Sequence, residues 1–123
     1  MNSFFGEDSI TLVYPGGRMA VLHCSMLART DRQGIISGDK GHLIVENINN
    51  PQSVKVVDCN YQTVAEYKAP PQVTGFEYEV EACIESLDKG FLQTMDMPHE
   101  ETLRIMKQMD ALREQWGIRY PFE

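Results

Sequence analysis

Three sets of residues in this sequence have types and spacing that could do chemistry. They are a glycine-bearing stretch, GDKGHLIVENINNP from Gly38 to Pro51, three histidines, and a crowd of carboxylates in the second half. The glycine stretch raises the question of a phosphate cradle. A dinucleotide fingerprint requires GxGxxG directly after a strand and opening a helix, so that amides at the helix N-terminus meet the pyrophosphate. Here Gly38-Asp39-Lys40-Gly41 runs into His42-Leu43-Ile44-Val45, which reads as a strand. No helix start faces the loop, and the spacing does not match a phosphate-binding loop of the GxxxxGK type. The stretch is therefore read as a tight hairpin, with Gly38 and Gly41 serving positive φ angles.

The histidines are His23, His42 and His99. A general base needs hydrogen-bond reach to a substrate and usually a second group that orients it. None of the three has a sequence neighbour that makes a recognised dyad. His23 lies on a strand face expected to be covered by a second body, so it is a candidate for a substrate cleft or an interface. His99 falls in the first turn of the last helix, where a charged imidazole is disfavoured by the helix dipole. Glu77, Glu79, Glu81, Glu85 and Asp88 crowd one helix, and several must form a solvated face. No GxSxG, HExxH or paired catalytic carboxylates are present, so no catalytic residue is assigned.

The elements that would position these groups are strands first and helices last. Ser9 to Tyr14 reads as a short strand, followed by Pro15-Gly16-Gly17 as a turn. Arg18 to Ala28 reads as a longer strand. With a side-chain period of two, Ala20, Leu22, Cys24, Met26 and Ala28 share a wholly apolar face. The opposite face carries Met19, Val21, His23, Ser25 and Leu27 and is only partly polar, which a solvated face would not be. Further strands are expected at Gly34 to Ser37, His42 to Asn47, Ser53 to Asp58 and Thr63 to Lys68, joined as antiparallel hairpins. Pro70-Pro71 closes this half. Thr74 and Glu77 then fit a capping box, the hydroxyl accepting from an amide three residues on and the carboxylate reaching back. Phe76, Val80, Cys83, Ile84 and Leu87 recur at helical spacing, and Gly90 is a stop. A second helix opens near Asp96-Met97-Pro98, carries Ile105, Met106, Met109, Leu112 and Trp116 as its buried stripe, and ends by Gly117 and Pro121. The expected fold is α+β, an open and largely antiparallel sheet with two C-terminal helices packed on one face.

A chain of 123 residues suits one domain, residues 1–123. At that size roughly two-thirds of the unfolded surface can be buried without disulfides or metal. With 11 basic against 18 acidic residues the net charge is −7, which argues against nucleic acid or an anionic membrane as partner. Cys24, Cys59 and Cys83 are odd in number and show no metal-ligand spacing, so they are read as small apolar residues in a reducing compartment. The opening MNSFFGEDS has no basic region followed by a long apolar run. A cytoplasmic location is expected.

The pattern as a whole is more specific than any motif within it. IISGDKGHLIVENINNP resembles the I-x-G-x-x-G-x-L-x-V…P segment in the substrate domain of the Gfo/Idh/MocA oxidoreductases, the glucose–fructose oxidoreductase and inositol dehydrogenase family. GFEYEVEACIESLDKG is similar to that family's G-x-x-Y-E…C-I…G helix. MPHEETLRIMKQMDALREQWGIRYPFE resembles its closing helix, with the M-P-x-E…M-D…G-I-x-Y-P-x-E ending. The resemblance runs from about Gly6 to the last residue.

That resemblance implies the C-terminal, substrate-binding and oligomerisation domain of an NAD(P)-dependent oxidoreductase acting on a sugar, polyol or related hydroxyl compound. The family's N-terminal Rossmann domain, which binds NAD or NADP, is absent from these residues, as are the segment carrying its catalytic lysine and its Asp/His helix motif. No cofactor is expected in this chain itself, and the isolated chain is expected to be inactive. What carries over is structural: Gly38 and Gly41 in the hairpin, Tyr78 and Glu79 on the first helix, and Tyr120-Pro121 at the end. The expected partners are the missing Rossmann domain and further copies of the chain, docked through Met19, Val21, His23 and Leu27. A rival reading is a free-standing, non-catalytic dimerisation or partner-binding module on the same fold. A small-ligand domain with its pocket between sheet and helices is weaker, because the apolar stripes suffice to fill that space.

Overall fold

A computed structural model describes residues 6–122. The first five residues of the MNSFFGEDS reading, and the Glu123 that closes the Tyr120-Pro121 motif, lie outside the described residues. The chain divides at the Pro70–Pro71 pair into two compact units, Met1–Pro70 and Pro71–Glu123. Among the described residues they hold six strands and two helices, an α+β fold with open antiparallel sheets.

The strands of the first unit form two sheets rather than one. In the first, β1 (Glu7–Val13) pairs antiparallel with β2 (Met19–Ser25), with Ile10 opposite Leu22 and Thr11 opposite Val21. Gly16 (φ 81°) and Gly17 (φ 76°) turn the chain, and the Tyr14 amide donates to the Arg18 carbonyl at 2.8 Å. Ile10, Leu12, Ala20, Leu22 and Cys24 share one face of this ribbon; Ser9, Thr11, Val13, Met19, Val21 and His23 share the other.

The long strand expected over Arg18–Ala28 stops at Ser25. The Ser25 hydroxyl oxygen accepts the amides of Leu27 (3.1 Å) and Ala28 (2.9 Å), which curls the backbone out of the ladder. Met26, Leu27 and Ala28 thus lie beyond the strand and do not extend its two faces. Leu27 folds over Gly6 instead: a Cβ there would sit 2.5 Å from Leu27 Cδ1. The connection onward bends at Arg32 (φ 57°), with Asp31 accepting the Gln33 amide at 3.1 Å.

The second sheet is a meander in the order β3 (Gly34–Gly38), β4 (Gly41–Glu46), β5 (Ser53–Asp58) and β6 (Thr63–Lys68). Its register puts Ile36, Leu43, Val45, Val54, Val56, Ala65 and Tyr67 on one face. The other face mixes Ile35, His42, Ile44 and Val57 with Lys55 and Glu66. Burial is deepest on the inner strand β5, at Val57 and at Ser53, whose hydroxyl donates to Glu46 at 2.8 Å. A bulge between Val56 and Val57 shifts the register against β6.

The second unit holds α1 (Glu77–Asp88) and α2 (His99–Gln115). Both end in the same way. Behind α1, Gly90 (φ 73°) lets its own amide reach the Leu87 carbonyl and the Phe91 amide reach Ser86. Behind α2, Gly117 (φ 68°) does the same with Glu114, while the Ile118 amide reaches Arg113. These are Schellman closures, and they satisfy carbonyls that the helix leaves unpaired.

The N-termini depart in part from the expected caps: the Glu77 carboxylate does reach back to the Thr74 amide, at 2.6 Å, but the hydroxyl half of the box differs. The Thr74 hydroxyl accepts from Phe76, two residues on rather than three, at 3.3 Å, and α1 begins only at Glu77. At α2, Pro98 precedes the helix instead of lying inside it, and Asp96 makes no cap. The His99 amide donates to the side chain of Gln93 at 2.9 Å, because proline offers neither an amide nor a side-chain acceptor. The apolar stripes occupy the expected spacing, but no residue of either helix is buried, so the stripe assigned to the core of α2 is open at Met106 and Met109.

Candidate functional site

The glycine stretch is a hairpin. Gly38 pairs with Gly41 across a two-residue turn, Asp39-Lys40, and the following residues continue as β4. Of its two glycines, Gly41 (φ 142°) has a positive φ and Gly38 does not, so the expectation that both would is not met. The demand at Gly41 comes mainly from the next strand, since a Cβ at this position would lie 2.0 Å from the Val57 carbonyl oxygen. The glycine lets β4 approach β5 and presents no ring of amides to an anion.

The histidines fall on three different elements. His23 lies opposite Ser9 on the exposed face of the β1–β2 ribbon, beside Val21 and Met19, which are 66% and 65% exposed. Leu27, grouped with them from the sequence, lies past the strand end and is also exposed. His99 opens α2. His42, on β4, has its ring 6.4 Å from the Tyr61 ring at a 59° tilt. Among the described residues no carboxylate hydrogen-bonds any of these imidazoles, and no group of three or more His, Cys, Asp or Glu side chains could hold a metal ion.

The His42–Tyr61 contact was not visible in the sequence. It depends on the β5–β6 turn, where the Asp58 carboxylate accepts the amides of Asn60 and Gln62, each at 2.9 Å, and holds Tyr61 at φ 61°. These bonds, from Gln62 foremost and from Asn60, hold the Asp58 carboxyl below the usual carboxylate range. The Asp-x-Asn turn was the one available signal. Beside it, His42, Leu43, Val56, Val57 and Val64 line a shallow trough of about 220 Å³ together with Lys40, Gly41 and Asp58. Asp58 engages its Oδ1 in its own turn and makes no hydrogen bond to His42, so the trough is an apolar depression without an acid–base pair.

In the second unit the structural pair Tyr78 and Glu79 separates. The Tyr78 hydroxyl donates to the Pro71 carbonyl at 2.7 Å, whereas Glu79 is exposed on the helix surface. The carboxylate that organises this end is Glu77. It accepts the amides of Val73 (2.8 Å), Thr74 (2.6 Å) and Gly75 (2.8 Å), together with the Thr74 hydroxyl (3.2 Å). The Thr74 amide foremost, then Glu77's own amide and those of Val73 and Gly75, pull its carboxyl down to about 2. At the far end, Arg113 reaches Asp110 at 3.2 Å and lies 4.8 Å over the Tyr120 ring, which stacks on Phe122. A recess of about 350 Å³ lies at this end, and the side chains of Asp110, Glu114 and Arg119 line it with both signs of charge. The three cysteines are free, exposed thiols.

No protein-family model matches the chain, and no solved structure matches it. Three curated proteins do. The chain is 25% identical over 118 residues to scyllo-inositol 2-dehydrogenase (NADP(+)) IolU of Bacillus subtilis (strain 168), across 94% of this chain and 35% of that protein. It is 30% identical over 118 residues to the trans-1,2-dihydrobenzene-1,2-diol dehydrogenase of Xenopus laevis, across 92% of this chain and 36% of that protein. The Xenopus tropicalis dehydrogenase of the same name is 29% identical over an equal span. The chain thus spans about a third of the length of the curated relatives it matches.

Proposed function

We propose that this chain is the C-terminal, substrate-side and oligomerisation domain of an NAD(P)-dependent oxidoreductase of the Gfo/Idh/MocA family. In the intact protein a hydride moves between the nicotinamide and a sugar, polyol or related hydroxyl-bearing compound. One observation carries the reading: the matches to dehydrogenases cover more than nine-tenths of this chain and only about a third of theirs. The nucleotide is bound by a preceding Rossmann domain, because a hydride carrier needs a cofactor cradle and neither the Gly38–Gly41 hairpin nor the mixed-charge recess behind α2 supplies one. The chain supplies the sheets and helices that shape the substrate side. Its assembly surface is the ribbon face with Met19, Val21 and His23, joined by the exposed Leu27 beyond the strand end, since open apolar side chains favour association. No helix among the described residues is long and apolar enough to cross a membrane. A cytoplasmic location is a separate part of the proposal.

The test is to compare this chain with the protein read from the upstream DNA. The longer protein, with a GxGxxG strand–helix unit, should bind NAD(H) or NADP(H) and turn over members of a panel of sugars and polyols. The 123-residue chain alone should do neither. Turnover or tight nucleotide binding by the chain alone rejects the assignment; a reading frame that starts at Met1 supports a non-catalytic module instead.

A further inference from the structure

Residues 71–76 look like a linker in sequence, PQVTGF, yet their backbone is tied down from the helix that follows. Glu77 takes the amides of three successive residues, Val73, Thr74 and Gly75, with two oxygens. Tyr78, the next residue, holds the Pro71 carbonyl. On the other side of the joint, the Ala69 amide donates to the Gln52 carbonyl at 2.8 Å, so the sheet unit holds the chain up to that residue. Between the two anchors stand Pro70 and Pro71, which have no amide to donate and whose φ angles are fixed by their rings.

We infer that Glu77 and Tyr78 act as a two-point latch that makes residues 71–76 a rigid extension of α1 and confines the joint between the two units to the Pro70–Pro71 pair. This inference does not depend on the enzymatic reading above. A six-residue flexible linker would let the units sample many separations. A latched one leaves φ and ψ of Ala69 and the ψ angles of Pro70 and Pro71 as the torsions between the two anchors, and a residue before proline is itself restricted to extended values. The joint becomes a stiff proline hinge, and the latch determines where α1 begins relative to it.

Amide exchange and ¹⁵N relaxation on the labelled chain test this directly. In the wild type, the amides of Val73, Thr74 and Gly75 should exchange at least on the order of tenfold more slowly than coil values. Their heteronuclear NOE values should equal those within α1. Glu77→Ala should return the three amides to coil rates while residues 81–88 keep their protection. Tyr78→Phe, which removes one hydroxyl, should lower the NOE at Gln72 and leave Thr74 protected. Coil-rate exchange in the wild type, or protection that survives Glu77→Ala, overturns the inference. Should Glu77→Ala unravel α1, Tyr78→Phe decides alone: a lowered NOE at Gln72 supports the latch, and an unchanged one overturns it.

Discussion

Gly41 lies against the carbonyl oxygen of Val57 so closely that a β-carbon on the glycine would stand 2.0 Å from it. That oxygen is backbone in the most buried part of the sheet, so it cannot yield as a flexible side chain would. Gly38, its partner across the turn, faces no such limit, because a Cβ there would meet only the Gly41 carbonyl at an ordinary 3.6 Å.

Gly41→Ala should therefore cost about 3 kcal/mol of stability, combining backbone strain at positive φ with a forced shift of β4 from β5. Gly38→Ala should cost less than about 1 kcal/mol. Urea unfolding followed by circular dichroism separates the two. Equal midpoints for the two variants would show that the hairpin does not depend on the β4–β5 approach.

Glu77 makes acid sensitivity local. Its folded pKa is about 2, below the ordinary 4.5, so between these values the unfolded chain binds the proton more readily. Its contribution to α1 is complete above about pH 4.5 and disappears as the pH falls toward 2. Carboxyl chemical shifts followed by NMR should show the depressed titration. Glu77→Gln should flatten the loss of α1 helicity in that window; an identical acid profile for both proteins would refute the assignment.

Gly117 sits at φ 68°, and a β-carbon added to it would find nothing within 4 Å, so Gly117→Ala meets only the intrinsic cost of the left-handed backbone. That cost is about 1 kcal/mol. A D-alanine introduced there by chemical synthesis should be neutral or slightly stabilising, since its mirror geometry favours positive φ. Thermal melts of the three forms check the order.

Val21 is two-thirds exposed, so Val21→Asp should change the unfolding free energy by no more than about 0.5 kcal/mol. If the ribbon face is the contact between copies, the same charge should weaken self-association at least about tenfold, because it would be buried without a partner. Sedimentation of the full-length protein reads this. Unaltered association in the variant, or a strict monomer at high concentration in the wild type, removes the ribbon face from consideration.

Much of the fold was legible because its signals are local. The period of two in SVKVVD and TVAEYK set β5 and β6 with the bounds the sequence suggested. Gly90 and Gly117 ended the helices because a left-handed residue closes a helix wherever it falls. The long strand was overextended because its apolar alternation continues past Ser25, while the Ser25 hydroxyl captures the next amides. The cap of α2 was misplaced because its acceptor, Gln93, lies six residues before His99, outside any local capping pattern.

Residue order alone was enough to establish the succession of strands and helices, the hairpin at Gly38–Gly41, the helix stops and the resemblance to dehydrogenases. All of these rest on neighbours along the chain or on residue pattern. It took the folded chain to divide the strands into two sheets, to set Gly41 against Val57, to bring Tyr61 beside His42, and to let Tyr78 grip Pro71. Each of these depends on which backbone segments come within a few ångströms of one another, and side-chain periodicity carries no measure of that distance.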